Sequence, residues 1–508
     1  MTLSLHQQLP LLRRERLQGV RRGIEKESLR ARPDGALAFT PHPLALGAAL
    51  THPHITTDFS ESQLELVTGA HTSVEAALAE LTALHQVVAR GLGEEERMWV
   101  SSMPCRLPAD ADIPLGQYGR SHIGQAKTVY RRGLGHRYGR RMQTISGIHY
   151  NWSIPGASDA DYFGLIRNFR RHSFLLLYLF GASPAVGACF VAGLPHGLQP
   201  LGAHTLHLPH ATSLRMGRLG YQSDAQASLR VSYNGLEGYG ASLEDAMTRV
   251  YPPYEAVGLR DEGGRWQQLS TTLLQIENEF YGTIRPKRTI RPGERPLHAL
   301  RQRGVEYVEV RCMDLDPFCP TGISEETARF LDVFLLHCLL AESPPETPEE
   351  IAALGRNQHR TAGYGREPGL LLERDGMSQP LRDWAAELLA DCARIAAVVD
   401  EALQSGEAHQ QAVARAQAAL AAPEGLPSSR VLAETRELHG GEHLRFGRAR
   451  SEATRQVCLA APLAPPQQAH WARLATESLT AQARIEAQQT GSFEEFLDGY
   501  LAVQGLRP

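Results

Sequence analysis

The sequence predicts an α+β protein, a sheet-forming body followed by a helical C-terminal part, on three observations. From residue 20 to about 320, short segments alternate polar and apolar residues between Gly/Pro turns, the pattern of half-buried strands. From about 380 onward the composition shifts to Ala, Gln, Leu, Glu and Arg, as in WAAELLADCARIAAVVDEAL and HQQAVARAQAALAA, the pattern of helices with a solvated face. No fixed-period repeat and no long linker separates the regions. The expected division is therefore a body over residues 1–370 with a helical region, 371–508, packed on it.

The elements follow in order. RGIEKESLR (22–30) is a strand with Glu25 and Glu27 on one face and Lys26 on the other. TDFSESQLELVTG (57–69) sets Asp58 at its entry and Glu61, Gln63 and Glu65 on one face, with Ser62, Leu64 and Leu66 opposite. Thr72-Ser-Val-Glu75 is a capping-box pattern, and Val74, Ala77, Leu78, Leu81 and Leu84 give a helical stripe up to Gly91. MQTISGIHYNWSIP (142–155) reads as a strand with Gln143, His149, Asn151 and Ser153 on one face. FLLLYLF (174–180) reads as a buried helix, and TSLRMGRLGY (212–221) as a less regular strand carrying Arg215, Arg218 and Tyr221. IENEFYGTIRPKR (276–288) is expected to point Glu277, Glu279 and Tyr281 one way and to lead into Arg285, Lys287 and Arg288. In GVEYVEVRCMDLDP (304–317), Tyr307, Glu309 and Arg311 oppose Val308 and Val310. A second box, Thr347-Pro348-Glu349-Glu350, opens a helix with Pro in its first turn.

Composition excludes several classes. The 508 residues are 42% hydrophobic and 21% charged with net charge −4, ordinary for a soluble globular protein and not for bulk binding of nucleic acid or membrane. Basic runs occur at RRERLQGVRR (13–22) and YRRGLGHRYGRR (130–141), but such runs are usually solvated faces, and no nucleic-acid partner is expected. Seven scattered cysteines with no CxxC spacing fit a reduced, cytoplasmic protein. The start lacks a signal peptide's apolar core. Ser173 to Leu194 has no charge, yet Gly181, Pro184 and Gly187 interrupt it, so no membrane span is expected.

The recurring feature is a sheet face made of acids. Any one strand with outward acids is ordinarily just half exposed. Together, clustered carboxylates repel unless water or cations neutralise them. Oxygen-rich donors with at most one imidazole suit Mg²⁺, or Mn²⁺ in its place, better than zinc. The interspersed arginines and Lys287, one of only three lysines, then suggest phosphate. There is no Walker A motif and no strand followed by GxGxxG, so ATP would have to be held by metals and arginines on the sheet.

At this point the motifs GIEKESLR, TTDFSESQLELVT, QYGRSHIGQAKTVYRRGL, MQTISGIHYNWS, LFGASPA, LPHATSLRMGRLGY, LQIENEFYGTIRPKR and GVEYVEVRCMDLDPF resemble, in order, bacterial glutamate–cysteine ligase (γ-glutamylcysteine synthetase) of the type 1 family. The resemblance spans residues 20 to about 320 and continues more loosely beyond. It implies a curved, mainly antiparallel sheet of the glutamine-synthetase-like catalytic type. It also implies ATP-dependent joining of glutamate's γ-carboxylate to the amine of cysteine through a γ-glutamyl phosphate, the first step of glutathione synthesis.

Carried over residue by residue, the resemblance makes Glu25, Glu27, Asp58, Glu65, His149 and Glu309 the metal-binding set, with Arg311 the catalytic, phosphoryl-stabilising arginine. Arg215 and Asn151 would bind glutamate, and Phe59, Tyr130, Arg131, Tyr221 and Tyr281 would form the cysteine pocket. Gln143, a lesser metal candidate, would join Arg285 and Lys287 at the nucleotide. The expected partners are glutamate, cysteine and ATP, with the chain a monomer. The rival readings are a carboxylate–amine ligase with another amine substrate and a non-catalytic nucleotide- or metal-binding module.

Overall fold

The structure, a computed structural model, describes residues 5–220, 224–227, 229–291 and 293–506. Tyr221 lies outside the described residues. Among them, seven strands form the main sheet: β1 (Arg21–Ala31), β2 (Ile55–Thr57), β3 (Gln63–Val67), β4 (Arg97–Met98), β5 (Ile148–Ser153), β6 (Ile284–Lys287) and β7 (Tyr307–Met313). Their order is β2-β3-β1-β5-β7-β6, with β4 on the far end of β1, and every pairing is antiparallel.

Period two decides which face each residue takes. Ile24, Leu64, Leu66, Ile148, Tyr150, Trp152, Val308 and Val310 are all buried on the back of the sheet and belong to one hydrophobic core. Lys26 points the same way, as the alternation requires, and its buried Nζ lies 2.8 Å from His85 Nε2. The opposite face carries the acids.

Helices cover the back: α1 (Val74–Gly91), α2 (His122–Tyr138), α3 (Asp159–His172), α4 (Phe174–Phe180), α5 (Glu325–Leu340), α6 (Pro348–Tyr364), α7 (Leu381–Leu403) and α8 (Ala408–Ala421). Of these, α2 instead packs its Tyr130 and Leu134 beside Phe59 on the acid side. Helix α5 is apolar nearly all round, the signature of a helix buried on every side. It contacts α1, α3, α7 and α8. Truncating one of its buried rings, as in Phe334→Ala, would cost about 3–5 kcal/mol. A polar link locks this layer to the sheet: Asp332 accepts from Tyr150 Oη at 2.8 Å and pairs with Arg22 at 2.9 Å.

The caps follow the sequence with one shift. Thr347 caps α6 with Pro348 in its first turn, whereas Ser73, not Thr72, caps α1. The apolar part of the charge-free stretch is the short buried helix α4, stopped by Gly181, and among the described residues no helix is long and apolar enough to cross a membrane. The chain then turns through a hairpin, Leu371–Arg374 and Met377–Pro380, whose Asp375-Gly376 tip has φ of 52° and 76°, the left-handed pair that a tight hairpin needs. Leu381, Trp384, Leu389 and Ile395 of α7 belong to the same hydrophobic core as the back of the sheet.

Several expected strands are shorter or absent: in 57–69 only Gln63–Val67 follows β2 as strand, Glu61 lying in a turn, and in 304–317 only Tyr307–Met313 is strand. In 142–155 only Ile148–Ser153 is extended, because Met142–Thr144 forms a 3₁₀ turn. In 276–288 only Ile284–Lys287 is a strand, and Glu277–Glu279 is another 3₁₀ turn. The stretch 212–220 is loop and bends rather than strand. Short polar runs beside Gly satisfy their backbone groups through side chains and turns, which alternation alone does not reveal.

Candidate active site

Register sets the acids beside one another. Glu27 lies directly opposite Glu65 across β1 and β3, and Glu25 lies opposite His149 across β1 and β5. On β7, Glu309 faces Asn151 on one side and Arg285 on the other. Asp58 follows the end of β2. The result is a cavity of about 270 Å³.

Most of the expected residues meet there. The walls hold the six acid and imidazole candidates, Arg311 and Lys287 at one rim, and Phe59, Tyr130, Arg131, Gln143, Tyr281 and Arg285. Two further lining residues, Leu134 and Asn278, escaped sequence reading. Leu134 had a signal: it follows Tyr130 by one helical turn on α2, so both side chains share a face. Asn278 had none, since its 3₁₀ turn was read as strand.

Two candidates sit elsewhere. Arg215 lines an adjoining cavity of about 160 Å³, which also includes Tyr281 and Arg311. Its buried guanidinium donates to the Arg311 carbonyl at 2.8 Å and stands 3.8 Å from Asp314. Asn151 does not line the acid cavity; its Nδ2 donates to Glu25 Oε1 at 2.9 Å and so orients that carboxylate. The acids of the ENE turn also fall away. Glu279 pairs with Arg137 at 2.8 Å and accepts from Tyr138 Oη at 2.6 Å, and Glu277 pairs with Arg295 at 2.7 Å. Both pairs are buried structural ties, so those acids do not face the site as the alternation suggested.

The site's hydrogen bonds fix its geometry. His149 Nδ1 lies 3.1 Å from Glu25 Oε2 and 3.5 Å from Arg311 Nη1. Nε2 is buried, has no hydrogen-bond partner and lies 3.8 Å from Glu27 Oε1. Glu27 accepts from the Gly147 amide at 2.8 Å. Glu309 is clamped between Lys287 at 3.1 Å and Arg311 Nη1 at 2.8 Å. Gln143 donates to Tyr281 Oη, and Arg285 donates to the carbonyls of Asn278 and Phe280, holding the loop above the cavity.

Electrostatics divides the acids. Burial, with Asp58, Glu25 and Glu27 nearby, pushes the Glu65 carboxyl well above the usual range. Burial raises Glu27 as well, despite His149. Burial also works against charge on Glu25 and Glu309, but the hydrogen bond from His149 holds Glu25 low, and Lys287 with Arg311 hold Glu309 well below the usual range. Cations thus outweigh burial at the Glu309 end of the row, whereas at the Glu27–Glu65 end burial and neighbouring acids outweigh the nearby arginines.

A divalent cation fits that end. One donor atom from each of Glu25, Glu65 and His149 lies within 4.8 Å of the others, the imidazole nitrogen Nε2 is orphaned, and the remaining donors are carboxylate oxygens, the set a hard cation takes. The basic run 130–141 is spent internally: Arg131 donates to the Asp58 carbonyl, Arg132 to Trp266, Arg137 to Glu279 and Arg140 to Ala111.

Fold and site define a class: an α+β protein whose antiparallel sheet presents carboxylates on one face and cations at its rim. The sequence profile described as glutamate–cysteine ligase matches residues 9–158 and 155–361. The glutamate–cysteine ligase of Azotobacter vinelandii is 48% identical over 506 residues, covering 95% of this chain and 94% of that one. That of Janthinobacterium sp. is also 48% identical, covering 96% and 95%. Among solved structures, the glutamate–cysteine ligase of Francisella tularensis in complex with AMP superposes with a TM-score of 0.91 at 35% identity, covering 96% of this chain and 99% of that one. A bifunctional glutathione synthetase from Pasteurella multocida gives 0.66 at 26% identity over 88% of this chain and 53% of that one. The chain belongs to the glutamate–cysteine ligase family, and the protein is a ligase.

Proposed function

We propose that the acid-lined cavity is where this enzyme joins the γ-carboxylate of L-glutamate to the amine of L-cysteine. ATP is consumed, and γ-glutamylcysteine, ADP and phosphate are formed, the step that opens glutathione synthesis. The observation that carries this reading is the convergence of Glu25, Glu27, Glu65 and Glu309 with Lys287 and Arg311 on one cavity. The AMP held by the Francisella relative supports an adenine nucleotide as co-substrate. Seven free cysteines support a cytoplasmic setting.

The chemistry needs a leaving group, because a carboxylate does not acylate an amine at neutral pH. Glutamate's γ-carboxylate oxygen attacks the γ-phosphorus of ATP, ADP leaves, and the cysteine amine then displaces phosphate from the acyl phosphate, losing a proton. Glu25, Glu27, Asp58, Glu65, His149 and Glu309 would hold Mg²⁺, or Mn²⁺ in its place, which when bound neutralises the acids and stabilises charge on phosphoryl oxygens. Arg311, held by Glu309, faces the cavity where its guanidinium would stabilise charge on the transferring phosphoryl group, and Lys287 contacts the same Glu309. Arg215 in the adjoining cavity provides the cation for glutamate's α-carboxylate, while Asn151 acts by orienting Glu25. Phe59, Tyr130, Leu134 and Tyr281 form the less polar wall suited to cysteine's side chain, with Arg131 at its edge, and Tyr221 is proposed there on the family resemblance alone. Gln143 and Arg285 act chiefly by holding Tyr281 and its loop.

Phosphate release measured with glutamate alone, cysteine alone and both tests the reading. Release that requires both, and that stops in excess chelator and returns with Mg²⁺, supports it. Release that continues unchanged with cysteine replaced by other amino acids, or in excess chelator, overturns it.

A further inference from the structure

A second group of ligand-type side chains lies among the helices behind the sheet, outside the ligase cavity. His172 ends α3, His337 and Cys338 sit in the last turns of α5, and Asp391 and Cys392 lie on α7. One donor atom from each of His172, His337 and Cys338 lies within 4.8 Å of the others. Cys338 is fully buried and His337 nearly so, while His172 is only partly buried and opens the cluster toward solvent.

Packing explains part of this arrangement. The two imidazoles lie 5.3 Å apart at 52°, and His172 stands edge-on to Trp384 at 6.1 Å. It leaves both rings, however, with a buried Nδ1 that has no hydrogen-bond partner. Orphaned buried nitrogens are costly and call for an occupant. The far side of His337 is already arranged for one, since its Nε2 lies 3.4 Å from Asp391 Oδ2. A carboxylate on the second nitrogen is how metal-binding histidines are oriented: it fixes the proton there and turns the lone pair to Nδ1.

We propose that His172, His337 and Cys338 bind a zinc ion between the end of α3 and the last turns of α5, beside Asp391 of α7. Two imidazoles and a thiolate are the borderline-soft donors zinc takes in tetrahedral sites, and they differ in kind from the oxygen set on the sheet. As the Zn–S bond forms, the Cys338 thiol proton leaves to solvent. The ion would tie the end of α3 to α5, so its binding stabilises the native packing.

The test uses the full chain without a histidine tag, stripped of metal and held in excess Mg²⁺ to occupy the sheet site. Cobalt titration is expected to reach one equivalent with a thiolate-to-cobalt charge-transfer band, zinc to displace it, and zinc to raise the melting temperature by several degrees. Cys338→Ser removes the band, and His337→Gln weakens binding more than about tenfold, the loss expected for one ligand or its close support. No band in the parent protein, or a band that survives Cys338→Ser, overturns the site. Should Cys338→Ser fail to fold, X-ray absorption of the zinc-loaded parent decides. Sulfur at about 2.3 Å together with nitrogen supports the proposal, and a shell of oxygen and nitrogen alone overturns it.

Discussion

Replacing Glu65 by Gln should make the metal-free protein more stable and the enzyme nearly inactive. Glu65 sits directly opposite Glu27, with Glu25 and Asp58 adjacent, and burial plus these charges push its carboxyl well above the usual range. A raised carboxyl favours the protonated form in the fold. Its stabilising contribution is therefore complete below the unfolded value of about 4.3 and is lost as pH rises through the folded value. Near neutral pH the wild-type protein carries that repulsion, and Glu65→Gln removes it at nearly constant volume. Like charges directly opposite on a sheet cost about 0.2–1 kcal/mol when solvated, so a gain of about 1 kcal/mol or more is expected at this less solvated position. In a chain of this length that is about 1–2 °C in melting temperature, somewhat below the shift typical of smaller domains. The assay is thermal unfolding from pH 4 to 8, in chelator and in Mg²⁺, beside turnover. The parent should lose stability with rising pH in chelator and regain it in Mg²⁺. The variant should show a flatter profile, little response to Mg²⁺ and turnover reduced by about 10² or more, the scale of losing one group that stabilises transition-state charge. A variant that melts lower than the parent in chelator and still responds fully to Mg²⁺ would show that Glu65 is a structural partner and refute the reasoning.

Arg311→Ala should cut turnover by about 10² or more with little change in KM, because the interaction strengthens only as phosphoryl charge develops; kinetics beside melting temperature would expose a structural role as lost stability. Arg311→Lys should recover little of that rate, since a point charge cannot reproduce the planar fork held by Glu309. With ATP and glutamate but no cysteine, hydroxylamine should trap a γ-glutamyl hydroxamate, and Phe59→Ala should harm cysteine-dependent turnover more than trapping; equal losses would make Phe59 a packing residue only. Asp400 accepts from Ser405, from the His409 and Gln410 amides and from the His409 ring, joining α7 to α8. Burial opposes its charge, yet these donors hold its pKa down to about 2, so its contribution is present above about pH 4 and is lost as pH falls through about 2. Asp400→Asn should destabilise by about 1–3 kcal/mol and flatten the acid limb of stability, with turnover of the folded enzyme unchanged.

How much of this was legible in the sequence depended on whether a residue's role was local or relayed. On β1 alternation survives folding, and on β7 it holds to Val310 before the register shifts between Val310 and Met313, so Glu25, Glu27, Glu309 and Arg311 line the cavity and Lys26 faces the core. Alternation failed where side chains complete the backbone's hydrogen bonding. Glu279 accepts from the Gln275 amide at 2.7 Å while pairing with Arg137, so ENE closes into a turn rather than extending. No sequence period records that pairing, because Arg137 lies on a helix more than a hundred residues earlier. Asn151 shows the same limit inside a correct strand: its position was right, but the buried carboxylate of Glu25 takes its amide before any ligand can. The zinc proposal extends the point. His172 and His337-Cys338 are separated by the whole central part of the chain and show no ligand spacing. What brings them together is the burial of α5 on every side, a consequence of its apolar composition that sequence does show. Motif spacing therefore reports sites built within one element or on paired strands, whereas sites built between buried helices emerge only once packing has chosen which neighbours meet.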